Sequence, residues 1–251
     1  MYRGFNICDV DLSDKYLESG KEMLNTHKKV IIRTLDNYVN DEGRLDGSLM
    51  QSSWFPTIST DVFISHSHID EAQAIALAGA LYDEFGLISF VDSCVWGYAN
   101  NLLKQIDKIY CPTGRGTYDY DLRNRSTSHV HMMLASALSM MIDRAECLFF
   151  LNTPKSLSAD DVIKKTMSPW IYYELMAFKY IKKPDRPRPV TKMLLDEQVI
   201  EKLALDVEYS VDFDDFVELS FDDLNLWRKY SKNKGISSLD VLYRLFPLES
   251  D

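Results

Sequence analysis

Short apolar runs rich in β-forming residues alternate with helix-patterned stretches through the middle of this chain. DVFIS (Asp61–Ser65), LISFVDS (Leu87–Ser93) and ECLFFLNT (Glu146–Thr153) are too short for core helices and too apolar to face water; PVTKMLL (Pro189–Leu195) reads as a fourth such run. Between and after them, Ile69–Phe85, Asn101–Tyr110, His129–Ala145 and Ser168–Lys183 carry apolar residues at helical spacing, and Gly86 closes the first of these stretches. Alternation of this kind predicts an α/β fold, a parallel sheet covered by helices on both faces. Ligands of such sheets sit at the carboxyl ends of the strands. Three loops therefore matter most: SHSHID after the first run, DSCVWGYANN after the second and NTPKSLS after the third.

The flanks read differently. Residues 13–40 have a helical pattern that Gly20 divides, and Asn40–Pro56 is rich in turn residues and reads as a loop. Cys111–Ser128 reads as a polar loop. Beyond the fourth run, VEYSVDF suggests a strand, Phe221–Lys232 a helix and Leu239–Leu245 a short one. The expected organisation is a helical N-terminal extension (1–56), a central α/β unit (57–195) and an acidic α+β C-terminal extension (196–251) on or beside it.

Composition narrows the function classes. With 46% hydrophobic and 26% charged residues over 251 positions, the chain has the material for a core. Its net charge of -10 is the wrong sign for a charge-driven nucleic-acid binder. Residues 191–251 hold 14 acids against 7 bases, so the C-terminal segment carries most of the excess. No run approaches the roughly 18 apolar residues of a membrane span, and MYRGFNICDVDLSD lacks the features of a signal peptide. Cys8, Cys94, Cys111 and Cys147 form no CxxC pair and read as reduced thiols. The expected location is the cytoplasm.

Three constellations carry candidate chemistry. In SPWIYYEL, Ser168 suits a helix cap, Pro169 the first helical position, and Trp170 and Glu174 lie four apart on one face. An aromatic ring and a carboxylate near a helix start suit a ribose-containing ligand; the plainer alternative is a core Trp and a solvated Glu. In Ser65-His66-Ser67-His68-Ile69-Asp70, a strand runs into HxHxD, which is similar to the opening of a metallo-β-lactamase-type metal site. His66, His68 and Asp70 would be its ligands, with more from His129, His131 or acids; the alternative is a loop held by its own polar groups. In Asp92-Ser93-Cys94-Val95-Trp96-Gly97, Trp96 beside Gly97 suggests either a contact loop or a buried ring at a turn. Cys94 has no base supplied for it in the sequence. CPTGRG lacks the Lys and Ser/Thr of a phosphate loop. Lys182, Lys183, Arg186 and Arg188 read as a solvated basic loop.

Together these pieces resemble a TIR (Toll/interleukin-1 receptor) domain. DVFISHSHID is similar to its opening strand and loop, and LISFVDS with CVWGYAN to its second strand and BB loop. ECLFFLNTPKSLS is similar to its fourth-strand region, and SPWIYYEL to its S-x-W-x-x-x-E-L helix start. The resemblance spans about residues 58–195 and implies a flavodoxin-like parallel sheet, the TIR fold. In catalytic members the glutamate of the last motif, here Glu174, is essential for cleaving the nicotinamide–ribose bond of NAD+. The products are nicotinamide with ADP-ribose or a cyclic or base-exchanged variant. The resemblance also implies that Ser65, His66 and Ser67 contact the nucleotide. By the same resemblance Asp92, Ser93 and Trp96 lie near the pocket or a subunit contact, and Trp170 lines or underlies the cleft. NAD+ is then the substrate, and no cofactor is needed. Implied as well are assembly through TIR contacts, a downstream effector that responds to the nucleotide product, and a Thoeris-like role in antiphage defence. Two alternatives stay open: a non-catalytic TIR interaction module, and a metallohydrolase built on His66, His68 and Asp70.

Overall fold

The computed structural model describes residues 3–8, 12, 14–27, 35–91, 93–153, 165–181, 209–232 and 236–247. Its centre is a five-stranded parallel sheet of β1 (Arg3–Cys8), β2 (Val62–Ser65), β3 (Ser89–Val91), β4 (Cys147–Asn152) and β7 (Phe216–Leu219), in the order β3-β2-β4-β1-β7. Two-residue strands β5 (Lys165–Thr166) and β6 (Tyr209–Ser210) pair separately and antiparallel. The helices are α1 (Asp14–His27), α2 (Gly47–Trp54), α3 (Glu71–Phe85), α4 (Ser93–Tyr110), α5 (Tyr120–Arg144), α6 (Pro169–Ile181), α7 (Phe221–Tyr230) and α8 (Ser238–Leu245). Short 3-10 turns lie at Leu35–Tyr38 and His68–Asp70. Among the described residues no helix is long and apolar enough to cross a membrane.

Strand alternation sorts the core into two layers. Phe5, Ile7, Val62, Ile64, Phe149 and Leu151 face α1, α3, α7 and α8. Phe63, Phe90, Leu148 and Phe150 face α2, α4, α5 and α6. Both faces are therefore apolar, which is why the strands read as continuous hydrophobic runs. The register sets Val62 opposite Cys147 and Ser65 opposite Phe150, so β2 and β4 end at nearly the same height.

Connections leave these two strands in opposite directions. From β2 the chain crosses through α3, on one face, to β3 at the sheet edge; from β4 it enters α6, on the other face. The carboxyl ends of β2 and β4 thus flank a topological switch point, where open α/β sheets leave a crevice.

Several expectations are corrected. The N-terminal segment is not purely helical: it opens with β1, which lies between β4 and β7 and is buried on both faces. Gly20 does not divide α1, which runs unbroken over it. The stretch read as a loop before Pro56 contains α2, capped by Asp46, whose side chain accepts from the Leu49 N–H at 2.9 Å, and anchored by Met50 and Trp54 at i and i+4. The stretch after β3 read as a loop is the start of α4; the core contacts of Ala99, Leu102 and Ile106 belong to one helix that begins upstream of them. The polar loop after Cys111 gives way at Tyr120 to α5, capped by Asp119. Of VEYSVDF, the described residues supply the two of β6, outside the main sheet. The helices expected near Phe221–Lys232 and Leu239–Leu245 are present as α7 and α8. PVTKMLL lies outside the described residues.

Candidate functional site

Ser65 ends β2 and, two residues beyond Phe63, faces the layer that contains α6. On α6, Ile171, Glu174, Leu175 and Phe178 form the buried stripe. Glu174 is therefore placed by the same helical period that buries its apolar neighbours, with 0% of its surface exposed. Ser168 caps this helix, its Oγ accepting from the Ile171 N–H at 3.3 Å, and Pro169 occupies the first position. The two elements meet in a hydrogen bond: Ser65 Oγ donates to Glu174 Oε2 at 2.7 Å, both residues fully buried. Glu174 is not a solvated charge.

Two further hydroxyl–carboxylate bonds lie at the same edge of the sheet. Thr153, just past β4, donates to Asp70 Oδ2 at 2.5 Å, tying the loop after β2 to the exit of β4. Ser93 at the start of α4 donates to Glu71 Oε1 at 3.2 Å, tying the exit of β3 to the start of α3. Thr153 and Glu71 were not singled out by sequence reasoning. The only signal for them was their position in or beside the three strand-exit loops.

The other expected residues fall as follows. His66 is buried and Ser67 half-buried. Trp170 is half-buried, its ring edge-on to His131 with centroids 5.3 Å apart. His131 is exposed, and partial desolvation holds it below the ordinary imidazole value. Asp92 lies outside the described residues, as do the side chains of Trp96 and Cys94.

The residues of the metal reading do not form a ligand cluster among the described residues. His68 is exposed, whereas His66 and Asp70 are buried. Among the described residues no three His, Cys, Asp or Glu side chains come together in a way that could hold an ion. A thiolate nucleophile is equally unsupported at Cys111 and Cys147: both are buried, and burial pushes both thiols up.

The arrangement offers a fully buried carboxyl group, bonded by a hydroxyl, at the switch point of a parallel sheet. Such a group accepts hydroxyl donors and stabilises developing positive charge more strongly than it would in water. Compared with known protein families, curated proteins and solved structures, the chain matches none.

Proposed function

We propose that this chain is a TIR-type NAD+ nucleosidase with Glu174 as its catalytic carboxylate. The observation that carries the reading is the Ser65–Glu174 hydrogen bond. It joins the two stretches that most resemble TIR motifs, 109 residues apart, at the place where α/β sheets bind ligands. Support comes also from the flavodoxin-like character of the sheet, parallel and five-stranded with helices on both faces.

The chemistry suits one carboxylate. Nicotinamide in NAD+ carries positive charge and leaves as a neutral molecule, so its departure needs no general acid. The C1′–N bond breaks, its electron pair goes to the ring nitrogen, and the ribose becomes oxocarbenium-like. Glu174 holds ribose hydroxyls and stabilises that cation. Water then attacks C1′ and loses a proton, giving ADP-ribose; attack by an adenine nitrogen instead gives a cyclic product. Because Glu174 is fully covered in this conformation, substrate access requires the cover over it to shift. Self-association, cytoplasmic location and a nucleotide product read by a defence effector belong to the same proposal.

The test is release of nicotinamide from NAD+ at high protein concentration, followed by mass-resolved chromatography. Wild type is expected to turn over, and a folded Glu174→Ala variant to lose at least about 100-fold in kcat, as for removal of a preorganised electrostatic group. Full turnover by that variant would refute the assignment. A second reading has its own support in the complete burial of the pair: Ser65 and Glu174 as a structural tie in a non-catalytic interaction module. That reading requires a loss of stability in Glu174→Ala with no turnover by either protein.

A further inference from the structure

We propose that Ser65 is a positioning residue for Glu174, not a contact to the nucleotide; the inference rests on the nucleosidase reading and deepens it. The backbone of Ser65 is fixed by the sheet, where it sits opposite Phe150 of β4. Its side chain is fully buried on the α6 side, and its hydroxyl lies 2.7 Å from Glu174 Oε2. A serine hydroxyl has one proton to donate. Here that proton goes to the carboxylate, so it cannot also be given to a phosphate or ribose oxygen while the pair is intact.

The Ser65 hydroxyl gives Glu174 a directional contact from another element of the fold. On its own helix the buried neighbours are Ile171, Leu175 and Phe178, which fill space but exert no directional pull on a carboxylate. A glutamate has several rotatable bonds, and a strand-borne hydroxyl on a short side chain selects among them. Sheet register thereby passes, through the Ser65 hydrogen bond, into the orientation of the group that faces the ribose. A displacement of about 1 Å at a reacting group costs on the order of 100-fold in rate.

The experiment uses the full chain with NAD+ as probe. Wild type, Ser65→Ala, Ser65→Thr and Ser65→Cys are compared for kcat and KM, with thermal melts establishing that each is folded at the assay temperature. Ser65→Ala is expected to lower kcat by about 10–100-fold while KM stays within about threefold, the pattern of an interaction that serves the transition state. Ser65→Thr keeps the hydroxyl and is expected to retain at least about a third of wild-type kcat. Ser65→Cys, close in size but a weak donor, is expected to follow Ala, and it serves if Ala does not fold. A raised KM with unchanged kcat would make Ser65 a nucleotide contact and overturn the proposal. So would an Ala variant as active as wild type, or a Thr variant no better than Ala, which would indicate packing alone. Absence of turnover in the wild type removes the nucleosidase reading and this inference together, whereas an active wild type with an indifferent Ser65 removes only the inference.

Discussion

Glu84 of α3 accepts a hydrogen bond from the Tyr16 hydroxyl of α1 at 2.7 Å and lies 3.4 Å from the Arg228 guanidinium of α7. The Tyr16 bond, helped by Arg228, holds the Glu84 carboxyl below its ordinary value. A depressed carboxylate contributes stability that is present above its unfolded pKa of about 4.3 and is lost as pH falls through the lower folded value. Tyr16→Phe removes the larger cause. It is expected to cost on the order of 1 kcal/mol at pH 7, or roughly 2–4 °C in Tm. The gap from wild type should narrow as pH drops below about 4. Melts of both proteins from pH 3 to 7 check this, and a gap that stays constant or widens toward acid refutes it. At this scale Glu174 was legible, because a carboxylate at a capped helix start is a local pattern. Its burial was only half legible: Ile171, Leu175 and Phe178 mark the buried stripe, but nothing local says that Glu174 belongs to it. The bond to Ser65 was not legible at all, since it depends on the switch-point geometry that sets α6 over the end of β2.

At the scale of elements, α1 and α3 cross at two glycines. A Cβ on Gly79 would lie 2.0 Å from the Tyr16 carbonyl oxygen and 2.6 Å from the Gly20 nitrogen; one on Gly20 would lie 1.9 Å from the Ile75 carbonyl oxygen. These are backbone atoms and cannot swing away. Glycine costs a helix interior about 1 kcal/mol relative to alanine, so Gly79→Ala would stabilise an isolated helix. In this protein the substitution is expected to lower Tm instead, because helix separation must grow and the packing of Met23, Leu24, Leu77 and Leu81 in that layer must loosen with it. A Tm equal to or above wild type would show that the crossing is not tight. In the sequence Gly20 reads as a break, the usual meaning of glycine among polar residues. Only the facing Gly79, 59 positions away, turns it into a contact. The missed helices have a similar explanation: α2 is eight residues long with few apolar positions, and α4 begins in a stretch whose Trp and Gly resemble a loop.

For the whole molecule, both flanks are built into the sheet. β1 and β7 fill the places beyond β4, so an α/β core cut from residues 57–195 alone would lack two of its five strands. The C-terminal helix then closes the layer over them. Leu239 and Leu242 of α8 are buried, the Trp227 indole N–H donates to the Ser238 carbonyl at 2.8 Å, and Ser238 Oγ donates to the Phe85 carbonyl at 3.0 Å. From the other end of the chain, the Arg3 guanidinium donates to the carbonyls of Tyr243 and Phe246 and lies over the Tyr243 ring. Leu242→Ala, which removes one buried side chain, is expected to cost about 2–5 kcal/mol, or on the order of 5–15 °C in Tm. Deleting residues 236–251 removes both leucines and uncovers Trp227, Phe85 and Phe5 together. Against a total stability of about 5–15 kcal/mol, that loss is expected to abolish the cooperative melt and give strong binding of a hydrophobic dye. If the C-terminal segment were a separate appendage, the truncated chain would instead melt within about 2 °C of the intact protein and bind no dye. Calorimetry on the pair decides between an integral layer and an appendage, and it bears on the site. Glu174 and Ser65 are held on one face of a sheet whose other face α8 helps to close, so an integral layer predicts that NAD+ turnover, where the wild type has it, disappears with the melt.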